Sequence, residues 1–153
     1  MKRFIPLAIF SIALAGCMPP PYQSSRSSGG SSGGGDDYLR KTSMELATTY
    51  AKATTEFLKT SNSKTAIAKT QELAKKSLKD PESAQFRDVK IQNYGDLKII
   101  CGEINAKNSY GGYVGFKRFM GSPTGGVSME DLSGKYPEIN ASYNSGLYAA
   151  CGR

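Results

Sequence analysis

The chain of 153 residues contains no histidine and only three cysteines. Without an imidazole, the Ser-His-Asp and Cys-His arrangements that activate a hydroxyl or thiol cannot be assembled. The same absence, with so few thiols, leaves no donor set for a transition-metal site, and neither a metal nor another cofactor is expected. Long apolar runs are missing too. The run from Phe4 to Ala13 is broken by Pro6 and Ser11 and is too short to remain in a hydrocarbon core of about 30 Å as a permanent helix. No phosphate loop is present either, because Gly121-Ser122-Pro123-Thr124-Gly125-Gly126 is followed by no Gly-Lys-Ser/Thr.

What the N-terminus does contain is ordered. Lys2 and Arg3 precede the apolar run, and small Ala15 and Gly16 precede Cys17, the order that a signal peptidase reads. Leu14-Ala15-Gly16-Cys17 resembles the lipobox of bacterial lipoproteins. The resemblance implies cleavage after Gly16, a diacylglyceryl group on the Cys17 thiol and palmitate-type acylation of the new amine. Two or three acyl chains, at about 0.8 kcal/mol per buried methylene, make a stable anchor where one would not. Met18 stands where lipoproteins retained in the inner membrane commonly carry Asp. The resemblance therefore implies an outer-membrane protein, facing the periplasm or the cell surface.

This reading divides the chain into three segments: a signal peptide over 1–16, a lipidated cysteine and linker over 17–35, and one domain over 36–153. Pro19-Pro20-Pro21 favours stiff polyproline II, and Ser27 to Gly35 offers only Ser and Gly, with nothing to bury. As a coil, the linker reaches roughly 25 Å. The formal net charge of +7, to which Lys2 and Arg3 contribute, is spread along the chain. It fits solubility near an anionic surface better than a dedicated polyanion site, and export argues against nucleic acid as a partner. With Cys17 assigned to lipid, Cys101 and Cys151 remain as a pair in an oxidising compartment. A bridge between them would close a loop of about 51 residues, for which chain entropy predicts roughly 4 kcal/mol. Two buried free thiols are the competing reading, better suited to a reducing cytosol.

Hydrophobic periodicity predicts a helix over 36–60, with Leu39, Leu46, Tyr50, Ala53 and Phe57 as its stripe. Asp36 and Asp37 suit its N-terminal end, and its many threonines make it depend on packing. A second helix is predicted over 64–79, stopped by Asp80-Pro81-Glu82-Ser83 as a tight turn or a first helical turn. Thereafter the period becomes two. Strands are predicted over 86–93, 97–105 and 113–120, then a long loop over 121–146 with a helical turn from Ser128, and a last strand over 147–151. The expectation is an α+β domain: two N-terminal helices packed on one face of a small antiparallel sheet of about four strands, with one disulfide.

The densest stretches are Asp80-Pro81-Glu82-Ser83-Ala84-Gln85-Phe86-Arg87 and Cys101-Gly102-Glu103-Ile104-Asn105-Ala106-Lys107-Asn108-Ser109-Tyr110-Gly111-Gly112-Tyr113-Val114-Gly115-Phe116. Together they resemble a recurrent small bacterial domain of uncharacterised function, over about 45 residues. The resemblance brings no catalytic residues with it. A structural account is available: Gly111, Gly112 and Gly115 give conformational freedom, Asn105 and Asn108 bond turn backbone, and Tyr110, Tyr113, Phe116 and Phe119 cover the helices. The functional account is a recognition surface with Tyr110 and Tyr113 as flat anchors and Lys107, Lys117 and Arg118 meeting acidic groups. Gly112 to Phe116 overlaps part of an RNA-binding pattern, but its basic-Gly-aromatic opening is absent.

Other catalytic templates fail on their partners. Ser61-Asn62-Ser63-Lys64 has the S-x-x-K spacing without S-D-N or K-T-G, and is better explained as a helix cap. Glu103 could couple with Asp80, Glu82 or Asp88 for glycan cleavage, although solvated or arginine-paired carboxylates are far commoner. The expected function is therefore a membrane-anchored lipoprotein whose non-catalytic domain binds an envelope protein or a cell-wall partner. Alternatives are a phage- or plasmid-encoded exclusion or assembly lipoprotein, and a small cell-wall hydrolase or hydrolase inhibitor.

Overall fold

A computed structural model describes residues 33–134 and 137–152. The proposed lipidation site Cys17 and most of the proposed linker lie outside the described residues. The architecture is α+β, built on a four-stranded antiparallel sheet in the order β1-β2-β3-β4. The elements are α1 (Gly33–Thr60), α2 (Ser63–Lys76), a single 3-10 turn (Pro81–Ser83), β1 (Gln85–Tyr94), β2 (Leu97–Asn105), β3 (Lys117–Ser122), β4 (Gly126–Met129), α3 (Pro137–Tyr143) and α4 (Ser145–Cys151).

The first two helices form in the expected stretches, with α1 starting at Gly33 rather than Asp36 and α2 ending at Lys76 rather than Lys79. The face that α1 buries is offset from the expected stripe: Ser43, Ala47, Tyr50, Ala51 and Thr54 are buried, whereas Leu39, Leu46, Ala53 and Phe57 sit at its margins. Small side chains in the middle let the helix axis approach its neighbours closely. Thr48, Thr49 and Thr55 bond back to the preceding turn, at Met44 O, Glu45 O and Ala51 O, whereas the buried Thr54 hydroxyl has no partner among the described residues. The Thr55 hydroxyl also accepts from the Lys98 amide at 2.8 Å, which fastens α1 to the start of β2. Asn62 caps α2 by accepting from the Thr65 amide, and Asp80 caps the 3-10 turn by accepting from the Ser83 amide.

Central strand β2 is buried on both faces, so helices cover both sides of the sheet rather than the single side expected. Ile99 and Cys101 point to one layer, with Met120 of β3, Ala47, Tyr50 and Ala51 of α1, and Leu147 and Ala150 of α4. Ile100 and Ile104 point to the other, with Phe119 and with Ala66 and Ala74 of α2. The alternation follows from the period of two along a strand. Complete burial of Ile99 and Ile100 is worth about 1.5–3 kcal/mol each relative to exposure. Gly102 is forced by this packing: a Cβ there would stand 2.8 Å from Val89 Cγ2 and 2.9 Å from Phe119 Cε1.

Three expectations along the second half are corrected. The third strand begins at Lys117 rather than 113, because Gly115 takes a positive φ of 94° that ends extended pairing. The 121–146 region is no loop: it holds β4, hydrogen-bonded to β3, and α3, and Ser128 lies in a strand instead of starting a helical turn. Residues 147–151 form helix α4, not a strand. A five-residue apolar run has no decisive period, and the helix places Leu147 and Ala150 on one buried face at a spacing of three. The pairing of Cys101 with Cys151 nevertheless forms, with Cα atoms 5.7 Å apart.

Candidate functional site

The end of the sheet carrying Glu103 and Arg118 builds the larger of two candidate surfaces. Across the strands, Arg87, Glu103 and Arg118 occupy successive register positions, Arg87 opposite Glu103 and Glu103 opposite Arg118. They therefore form a charged row on one face. Arg87 Nε donates to Glu103 Oε2, and its guanidinium also lies 4.0 Å from the centroid of the Phe116 ring. A bulge in β1 between Arg87 and Lys90, with Asp88 at a positive φ of 53°, sets that row apart from the regular ladder beyond it. On the far side, Arg118 Nη1 donates to the Gly152 carbonyl at 3.1 Å, at the C-terminal end of α4, where a cation is favoured.

A second set of bonds fixes the opposite wall. The Glu130 carboxylate accepts from the Arg118 amide at 3.2 Å and from the Tyr148 hydroxyl at 2.7 Å. The Tyr148 phenol is held above its ordinary value of 10.0, first by burial and then by the bond to Glu130 and its negative charge. Buried Asn144 grips the chain next to it in both directions: its Oδ1 accepts from the Asp131 amide at 2.9 Å and its Nδ2 donates to the Asp131 carbonyl at 2.8 Å. Between these walls lies an open cleft of about 670 Å³. It is lined by Glu103, Glu130 and Asp131, by Arg118, and by apolar Phe116 and Leu132, among others.

The predicted recognition residues do not form one surface. Lys107 and Tyr113 close a short loop, bridged backbone to backbone, with the Lys107 ammonium 5.7 Å from the Tyr113 ring centroid. Asn108 locks the loop, its Oδ1 accepting from the Tyr110 and Gly112 amides at 2.9 and 3.1 Å. Tyr110, at the tip, is 96% exposed. Lys117 stands opposite Ile104 and Arg118 opposite Glu103, so these neighbours face opposite sides of the sheet. Lys117 accordingly joins Lys107 and Lys79 along a second, smaller groove of about 230 Å³, while Arg118 belongs to the cleft.

Of the aromatics expected to cover the helices, only Phe119 is buried; Tyr110 and Tyr113 are exposed and Phe116 serves Arg87. Asn105 does not bond the turn: its Oδ1 is buried with no partner among the described residues. Glu103 is committed to Arg87. The cleft residues Glu130, Asn144 and Tyr148 are not apparent from sequence, because they lie where the local pattern reads as loop and strand. The alternation of Val127 and Met129 with Ser128 and Glu130 is the signal that marks β4 and its continuation to Glu130. Among the described residues no group of three or more His, Cys, Asp and Glu side chains is arranged to hold a metal ion.

No family model matches this chain, and no curated protein or solved structure matches it significantly.

Proposed function

We propose that this chain is an envelope lipoprotein, anchored in the outer membrane through lipidated Cys17, whose α+β domain is a non-catalytic binding module. The cleft beside β2 and β3 carries the binding reading. Its volume of about 670 Å³ suits a small ligand or a peptide segment, and its lining pairs carboxylates with Arg118 and with the apolar surface of Phe116 and Leu132. That mixture fits a ligand presenting both an amine and a carboxylate beside apolar groups, as cell-wall stem peptides and exposed segments of envelope proteins do. The walls are pre-organised by Asn144, Glu130 and Tyr148, which lowers the entropy lost on binding. The Cys101–Cys151 disulfide supports export to an oxidising compartment. Calorimetric titration of the purified protein with solubilised cell-wall fragments tests the module. Saturable binding abolished by Arg118→Glu supports it, and equal heats for both proteins contradict it.

A second reading has one observation in its favour: Glu103 and Glu130 line the same cleft, as the two carboxylates of a glycan hydrolase must. Both are already engaged, Glu103 by Arg87 and Glu130 by Tyr148 and the Arg118 amide, which favours binding over proton transfer. Zymography on peptidoglycan separates the two. Clearing lost in Glu103→Gln establishes the hydrolase, and no clearing by the folded wild type removes it.

A further inference from the structure

We infer that the groove of Lys79, Lys107 and Lys117, together with the loop tip Tyr110, is a second membrane contact that seats the domain on a bilayer containing anionic phospholipid. The choice of a bilayer rests on the anchor reading; the surface itself rests on the described residues. The three lysines come from separate parts of the chain, just after α2, at the base of the loop and at the start of β3, and the fold brings them to one groove. No acidic residue lines that groove, and among the described residues no salt bridge neutralises any of the three. Beside it, the loop exposes Tyr110 at 96%, Val114 at 57% and Tyr113 at 47%. Lysines that meet lipid phosphates, next to an aromatic tip at headgroup depth, are the chemistry of an interfacial contact.

Two features make this surface more than scattered exposure. First, the loop is held open by the Asn108 side chain and by the Asn108–Gly112 backbone bond of 2.8 Å, so Tyr110 is presented rather than free to fold back. Second, charge is divided across the sheet. Lys117 lies on the α2 side with the groove, whereas Glu103, Glu130 and Asp131 line the cleft associated with the opposite side. The first surface offers an anionic bilayer unpaired positive charge, whereas the second sets its carboxylates beside Arg87 and Arg118. The domain would then rest on its lysine groove and turn the cleft toward a partner.

The test uses the full mature chain carrying Cys17→Ser, so that no acyl chain contributes, in sedimentation with vesicles of phosphatidylcholine plus phosphatidylglycerol or of phosphatidylcholine alone. Binding is expected only to the anionic vesicles, falling with salt. Each lysine changed to Gln should weaken it about fivefold, and the triple change by on the order of a hundredfold. Tyr110→Ser, at a fully exposed position that cannot unfold the domain, should also weaken it severalfold. Sedimentation that is equal for the two vesicle types, or unchanged in either the triple variant or Tyr110→Ser, overturns the inference. So does self-association of the wild type that Tyr110→Ser abolishes, which would assign the surface to a second copy. Because the acylated cysteine is absent throughout, these outcomes are read independently of whether Cys17 carries lipid.

Discussion

Gly146 of α4 rests directly on Ser43 of α1. The Gly146 amide donates to Ser43 Oγ at 2.9 Å, and that hydroxyl donates onward to the Tyr143 carbonyl at 2.6 Å. A Cβ at Gly146 would fall 2.0 Å from the Ser43 carbonyl oxygen, which is backbone and cannot swing aside. This contact seats the C-terminal helices on α1 and thereby places the wall of the cleft that Asn144 and Tyr148 supply.

Gly146→Ala should therefore destabilise the domain by about 1–3 kcal/mol or more, through overpacking. Ser43→Ala should cost about 1–3 kcal/mol, since it strands the buried Gly146 amide. Urea unfolding of the two variants checks both values. Wild-type midpoints would show that α4 is not seated as described.

Reduction of Cys101–Cys151 releases a closure spanning 50 residues and joining the central strand to the C-terminal helix. The expected loss is roughly 4 kcal/mol. Unfolding with and without reductant measures it, and coincident transitions would contradict a closed bridge.

Asn144→Ala should free the segment at Asp131 while leaving the sheet intact, because both bonds that Asn144 makes to Asp131 are lost. Hydrogen exchange is the direct readout: the Asp131 amide should lose protection and the β2 amides should keep theirs. Protection at Asp131 equal to wild type would show that another contact holds the cleft wall.

Alkaline pH should loosen the domain through two phenols. Tyr148 is raised above 10.0 by burial and by Glu130, and Tyr50 by burial and then by Tyr143. A phenol raised on folding contributes stability that is fully present below the unfolded value and is lost as pH climbs through the folded value. Stability should accordingly fall above about pH 10, and Tyr148→Phe should make that fall shallower. An unchanged slope would mean that the Tyr148 phenol is not raised on folding.

How much of the structure is legible in the sequence depends on the strength of each local signal. The first two helices, the 3-10 turn and the first two strands are readable because long periodic runs and Asn62, Asp80 and Pro81 agree about where each begins or ends. The offset of the α1 face is not readable, since Ser43 and Thr54 are buried by close packing that hydrophobicity does not encode. Helix α4 escapes the sequence for a related reason: Gly146 looks like a turn residue in isolation, and only contact with Ser43 explains it. At the site, Lys107, Tyr110 and Tyr113 are recognisable as one exposed loop, whereas adjacent Lys117 and Arg118 are separated by the pleat of β3. Asn144 carries no sequence mark of its role, because its partner is the backbone of Asp131.

Anchorage through Cys17 is the claim on which the envelope reading turns, and incorporation of labelled palmitate into wild type and Cys17→Ser tests it most directly. The account predicts label in the wild type and none in the variant. Equal labelling of the two, or no label in an expressed wild type, would contradict it.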